Sequence, residues 1–242
     1  MTDWEYEPTG DFDKTPIERL STFPRQPDMF VYALRFALHA VMRVWLRVYH
    51  RFRIEGREHL PAYGPNGDEP FVMIANHGSH LDAIALLSAL PLRRIQKAYP
   101  AAAKDYFFTT LPKIAFSAVA MNAMPFDRRE NPRESLDLCR ELLSTPRHVL
   151  ILFPEGTRTA TGELGPFKPG IGFLTAGTPI AVVPCFLAGA YRAWPKGAWV
   201  PRPRKLTLRI GAPLRFAELP ADKEGAKAVA ARLEEAVRRL AS

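Results

Sequence analysis

Short apolar runs alternating with helical periodicities predict an α/β fold: a mixed, mainly parallel sheet covered by helices on both sides, preceded by an amphipathic helix. Three observations carry that prediction. Residues 71–75 (Phe-Val-Met-Ile-Ala) and 149–153 (Val-Leu-Ile-Leu-Phe) are continuous apolar runs of buried-strand length, each emptying into a polar turn. Helical patterns follow at 83–90, from Asn131-Pro132 to about Thr145, and from about Asp222 to Leu240. Finally, residues 28–52 hold no glycine or proline and are rich in Phe, Leu, Val, Met and Trp.

Taken in order, residues 1–27 form a polar arm. Asp3, Glu5, Glu7, Asp11, Asp13 and Glu18 make its start acidic, unlike a secretory signal. Asp28, behind Pro27, supplies an N-cap for one long helix over 28–52. Arg35, His39, Arg43, Arg47 and Arg51 recur every four residues and wind into a slowly turning polar stripe. No charge-free run approaches the roughly 20 residues of a membrane-crossing helix. The expected role is therefore membrane-associating, in the interface, with arginines at the headgroups. The alternative is a helix docked on its own domain with solvated arginines.

Residues 53–242 form the remaining domain. After the first strand, Ser79-x-x-Asp82 ahead of an apolar run is a capping box, with Ser79 at the N-cap and Asp82 at N3. Residues 106–126, largely apolar, line a groove or form core. The helix opened by Pro132 has Leu136, Cys139, Leu142 and Leu143 on one face. Pro179 and Pro184 bracket 180–183 as a short buried strand, and 205–210 alternates as another. Between them, Trp194 and Trp199 among Arg192, Lys196, Arg202, Arg204 and Lys205 suit a headgroup layer or a rigid surface loop. The last helix places Ala226, Val229, Leu233, Val237 and Leu240 on one side.

The chain has 242 residues and a formal net charge of +8, which draws it to anionic partners. No nucleic-acid module accompanies the charge, so phospholipid surfaces, CoA phosphates and acidic carrier proteins are the expected class, and nucleic acid is not. Cys139 and Cys185 are too few for a disulfide scaffold and lack metal-type spacing.

The chemistry concentrates in Asn76-His77-Gly78-Ser79-His80-Leu81-Asp82. Within one helix, His77 and Asp82 would lie about 140° apart, so they meet only if the helix starts between them. Asp82 then aims back at the loop, because helical side chains tilt toward the N-terminus. A carboxylate there holds one imidazole nitrogen and leaves the other as a base. The bland reading gives Asp82 only a cap and His77 only backbone partners. Ser79 lacks the glycine-flanked elbow of a nucleophilic serine, so capping suits it better. A metal site from His77, His80 and Asp82 matches no familiar ligand spacing.

Together with Phe126-Asp127-Arg128, Phe153-Pro154-Glu155-Gly156-Thr157-Arg158 and Val183-Pro184-Cys185, this HX4D segment resembles the four ordered motifs of the glycerophospholipid acyltransferase family, which includes lysophosphatidic acid acyltransferases. The first and third motifs are the specific ones. The chain departs from the pattern at Asn122, where the family usually has glycine six positions before the arginine. Asn tolerates a left-handed backbone better than most residues.

That resemblance implies acyl transfer from acyl-CoA or acyl carrier protein to the free hydroxyl of a lysophospholipid, most simply 1-acylglycerol 3-phosphate giving phosphatidic acid. His77 is the expected base and Asp82 its orienter. Arg128, Glu155, Gly156, Thr157, Arg158 and Lys168 are the expected acceptor-binding residues, with Glu155 bonding acceptor hydroxyls or positioning Arg158. Backbone amides of Gly78, Ser79 and Gly156 are candidates to stabilise the oxyanion. No cofactor or metal is expected, only the thioester donor. The expected location is peripheral or monotopic on the cytoplasmic face of a membrane. A different lyso-acceptor, such as a lyso-ornithine lipid, and a non-catalytic phospholipid-binding protein are the alternatives.

Overall fold

The computed structural model describes residues 29–63, 67–103, 110, 114, 116–127 and 132–242. The expected arm at 1–27 and the cap at Asp28 lie outside these. Seven strands follow one another as β1 (Arg53–Glu55), β2 (Phe71–Ala75), β3 (Ala98–Ala103), β4 (Met124–Phe126), β5 (Val149–Leu152), β6 (Ala181–Ala188) and β7 (Thr207–Ile210). Across the sheet their order is β1-β7-β6-β2-β5-β3-β4. All neighbours are parallel except β6 and β7. The mixed, mainly parallel sheet is the expected one.

Two helical layers cover it because strand side chains alternate between faces. Phe71, Met73 and Ala75 of β2 pack with α1 (Met29–Tyr49) and α2 (Asp82–Ala89) through Leu46, Ala85 and Leu86. Val72 and Ile74 point the other way, toward α3 (Pro132–Leu143), α4 (Gly170–Thr175) and α6 (Lys223–Ala241). A single turn, α5 (Ala190–Ala193), follows β6. Every residue of β2 is buried, which is why its sequence is continuously apolar rather than alternating.

One strand departs from expectation. β6 runs on through Pro184 instead of stopping at it. Val182 bridges Leu214, while Cys185 faces Ile210, so the register slips by one residue beside Pro184. The missing proline N–H thus falls at a bulge, where no ladder bond is lost. The carbonyl of Pro184 still accepts from Gly211 N at 2.8 Å.

α1 and α6 have similar lengths and opposite polarity. In α6, Asp222 caps the N-terminus by accepting from Gly225 N at 2.8 Å, a bond worth about 1 kcal/mol. Its apolar residues Ala226, Val229, Leu233 and Val237 are buried, and its charged residues pair outside, as Lys227 does with Glu224. In α1 the buried residues are Arg35, His39 and Leu46, while Phe30, Val41, Val44 and Val48 are 64–74% exposed.

The arginines of α1 therefore correct the sequence reading. A four-residue repeat drifts about 40° per step on an α-helix. Arg35 and His39 consequently face the domain and Arg43 is half-buried, whereas Arg47 has wound to the exposed side; Arg51, also exposed, lies past the helix, which ends at Tyr49 rather than at the expected residue 52. Neither headgroup placement nor full solvation describes the first three. By length and composition the helix is apolar enough to cross a membrane.

Candidate active site

Parallel pairing places the carboxyl ends of β2, β5, β3 and β4 along one edge of the sheet. Ile74 pairs with Leu152, so Asn76 and Phe153 leave the sheet side by side. Ligand crevices form at such edges. Asn76 continues the edge with its side chain: Nδ2 donates to Leu187 O at 3.2 Å, and Oδ1 accepts from Leu187 N at 2.8 Å. Sequence reading gave Asn76 no task. An amide side chain at a strand end, able to pair both ways with a backbone, was the available signal.

His77 Nδ1 donates to Asp82 Oδ2 at 2.8 Å. A carboxylate accepts only, so the ring proton sits on Nδ1 and the lone pair on Nε2. The imidazole stacks on Phe153 with centroids 4.2 Å apart and planes 15° apart, and lines a cavity of about 450 Å³. Asp82 is fully buried, and the same Oδ2 also accepts from Gly78 N and Ser79 N, each at 2.8 Å. Charge-assisted bonds of this kind are the strong ones, and here they lock the loop that carries the base.

The capping box forms only in half. Asp82 reaches back to Ser79 N, but the helix begins at Asp82 rather than just after Ser79. Ser79 Oγ accepts from Leu81 N at 3.1 Å and donates to Trp194 O at 2.8 Å. The hydroxyl is committed to a turn and a neighbouring loop, which agrees with a structural serine.

Two expectations are corrected on this loop and its neighbour. The amides of Gly78 and Ser79 point at Asp82, and Gly156 N donates to Phe153 O at 2.9 Å, so all three proposed oxyanion donors have other partners. Glu155 is a brace rather than an acceptor ligand. One carboxylate oxygen accepts from His77 N at 2.7 Å and the other from Gly165 N at 2.9 Å. Thr159 N donates to His77 O at 2.8 Å, so the backbone of His77 is held on both sides by the third-motif loop. Burial raises the carboxyl pKa of Glu155, and those two amide bonds oppose the shift.

Arg158 and Lys168 both line the cavity with His77. Gly156 makes room for the lysine. Its φ is +75°, and a Cβ there would lie 2.9 Å from Lys168 Nζ. Thr157 is exposed and lies outside the lining. Arg158 donates to His80 Nε2, and His80 in turn sits 5.1 Å from the Trp194 ring. Desolvation first, then the charge of Arg158, then His77 lower the His80 pKa to about 4, so this histidine is a neutral acceptor. Sequence analysis treated His80 only as a rival metal ligand. Arg128 and its neighbour Arg129 lie outside the described residues. The second-motif strand itself is present as β4, and Asn122 ahead of it takes φ 50°, the left-handed conformation that its substitution for glycine demanded.

The rest of the cavity is apolar, lined by Pro100, Phe116, Met121, Phe126, Leu136 and Phe153 among others. The stretch expected to be groove or core is both. Ser117, Ala118, Ala123 and Met124 are buried, while Phe116, Ser117, Met121, Ala123 and Phe126 face the cavity. Both cysteines are free and buried, and burial raises the thiol pKa of each.

A histidine–carboxylate pair at the edge of this α/β sheet thus shares an apolar pocket with two cationic side chains, those of Arg158 and Lys168. The acyltransferase family model matches residues 51–188, and the chain belongs to that family. A chloroplastic 1-acyl-sn-glycerol-3-phosphate acyltransferase of Arabidopsis thaliana is 34% identical over 167 residues, covering 66% of this chain and 43% of that one. The corresponding enzyme of Pseudomonas aeruginosa is 26% identical over 185 residues, covering 74% and 63%. The chain spans about half the length of the plant relatives it matches. The crystal structure of the 1-acyl-sn-glycerophosphate acyltransferase PlsC from Thermotoga maritima superposes with a TM-score of 0.61 at 24% identity, over 87% of this chain and 78% of that one. That likeness speaks to the fold.

Proposed function

We propose that the protein transfers a fatty acyl group from an acyl thioester to the free hydroxyl of a lysophospholipid, foremost 1-acylglycerol 3-phosphate, giving phosphatidic acid. The observation that carries this reading is the His77–Asp82 dyad opening onto an apolar cavity shared with Arg158 and Lys168. His77 Nε2 takes the proton as the acceptor oxygen attacks the thioester carbonyl. Asp82 stabilises the imidazolium. The tetrahedral intermediate collapses, the C–S bond breaks, and the thiol of acyl-CoA or acyl carrier protein leaves with that proton. No acyl-enzyme forms.

The acceptor phosphate is bound by Arg158 and Arg128, with Lys168 serving either the phosphate or the developing oxyanion. With the nearby amides occupied, a cation is the better support for that oxyanion. α1 docks on an anionic bilayer through its outward row of Phe30, Val41, Val44 and Val48, with the exposed Trp199 loop beside it. Tyr49 Oη donates to Pro201 O at 3.0 Å, tying that loop to the end of α1. On this reading the enzyme is peripheral or monotopic on the cytoplasmic face of a membrane.

Thiol release by the purified protein from palmitoyl-CoA and palmitoyl-acyl carrier protein, across several lysolipids with products identified by mass, tests the reading. Phosphatidic acid as the main product supports it. No thiol release with any acceptor, despite binding to anionic vesicles, would replace it with a lipid-binding role.

A further inference from the structure

The apolar cavity has one wall that α1 holds from outside. Residues 116–120 make a single π-type turn, closed by Met121 N donating to Phe116 O at 3.2 Å. Ala123 N donates to Ser117 O at 2.8 Å. The next three carbonyls have no amide partner from the turn itself and must be satisfied elsewhere. α1 satisfies all of them. Arg35 donates from its NH2 nitrogen to Ala118 O at 3.0 Å and from Nε to Val119 O at 2.8 Å, and His39 Nε2 donates to Ala120 O at 2.9 Å.

The remaining guanidinium nitrogen of Arg35 donates to Gln96 Oε1 at 2.8 Å. The backbone carbonyl of the same Gln96 accepts from Asn122 Nδ2 at 3.1 Å, which anchors the end of the same wall. Arg35 is 1% exposed, and its described partners are all neutral. Burying a guanidinium without a carboxylate is costly, and a hydrophobic residue would fill the space more cheaply. What an arginine supplies is a rigid fork that fixes two successive carbonyls at once. Burial lowers its pKa to about 10, which leaves it charged at neutral pH. His39, lowered to about 4 by burial, stays neutral and can still donate.

The cavity side of this turn presents Phe116, Ser117 and Met121 to the same space as His77. We propose that Arg35, aided by His39, is a specificity-determining positioning residue, which sets the cavity wall at 116–121 from the lipid-facing helix and so sets which acyl chain lengths fit. The proposal rests on the reading of that cavity as the acyl site.

The test measures binding of non-transferable thioethers, S-decyl-CoA and S-hexadecyl-CoA, to the full chain, alongside turnover of the matching thioesters. Arg35→Met, which removes every donor but keeps the length, is expected to change the long-to-short ratio in Kd and in kcat/KM by about tenfold, the order expected when a pocket wall moves by a methylene width. Arg35→Lys should recover part of the ratio. An unchanged ratio with only a lowered melting temperature overturns the proposal, because a purely structural arginine moves stability alone. Should Arg35→Met not fold, His39→Leu frees only Ala120 O and carries the same readout. Wild-type protein that binds neither these thioethers nor their acyl carrier protein counterparts removes the acyl reading and the clamp with it, whereas wild-type selectivity retained in every variant removes the clamp alone.

Discussion

The two loops that build the site are fixed in different ways. In residues 76–82 nearly every polar group is committed: Asn76 to Leu187, Gly78 and Ser79 to Asp82, Ser79 to Trp194, and His77 to Asp82 and Glu155. In residues 153–168 the backbone is pinned at Gly156, Gly165 and Lys168, while the long side chains of Arg158 and Lys168 line the cavity. On the proposed function, proton transfer demands a base held within tenths of an ångström, which suits a loop bonded along its length. Capture of a phosphate by long cationic side chains tolerates more freedom, which suits a loop held mainly through its backbone and Glu155.

Perturbing each loop sharpens that difference. Replacing His77 with Ala should lower kcat by about 10²–10⁴-fold while thermal melting is unchanged, since its ring makes no bond the fold requires beyond Asp82. A near-normal kcat would leave the rigid loop without a catalytic purpose. Asp82→Asn keeps an oxygen for Gly78 and Ser79 but loses the charge opposite the imidazolium. Turnover should fall by about 10²-fold or more, with KM little altered. Asp82→Ala should also melt earlier, because two buried amides lose their acceptor.

Glu155→Ala breaks the bridge between the loops and leaves two amides unpaired, at a cost of about 1–3 kcal/mol in denaturant unfolding. A loss in activity larger than the stability change would show that the brace also aligns His77. In the second loop, Arg158→Lys should raise the acceptor KM by about tenfold with a smaller effect on kcat. Lys168→Ala then separates phosphate capture, seen in KM, from support of the oxyanion, seen in kcat.

The smallest effect concerns His80, where the loops touch. Its folded pKa of about 4 lies below the ordinary 6.5, so the unfolded chain takes up the proton first as pH falls. The contribution is fully present above pH 6.5 and is lost as the pH falls through that window to about 4. His80→Gln should flatten this part of the stability profile. An unaltered profile would mean that His80 is not held buried beside Arg158 in solution.

Sequence reading went furthest where local rules act alone. β2 and β5 follow from apolar runs, α6 from its cap and period, and the His77–Asp82 contact from one turn geometry. β1, β3 and β4 were missed, because runs such as Arg53–Glu55 are short and Ala98–Ala103 carries proline and small residues that mark no strand by themselves. Pro184 was misread as a boundary, since the bulge that accommodates it belongs to a partner strand.

What the sequence determined by itself is the order of motifs and the pairing of His77 with Asp82, because those depend on neighbours within a few residues. Tertiary structure alone decided that Glu155 braces His77 and that Arg35 and His39 of α1 turn inward. Each of these depends on which groups 80 or so residues apart compete for the same donor or acceptor. Hydrogen-bond partners at that separation are chosen by the packing of the sheet, and no local pattern encodes them.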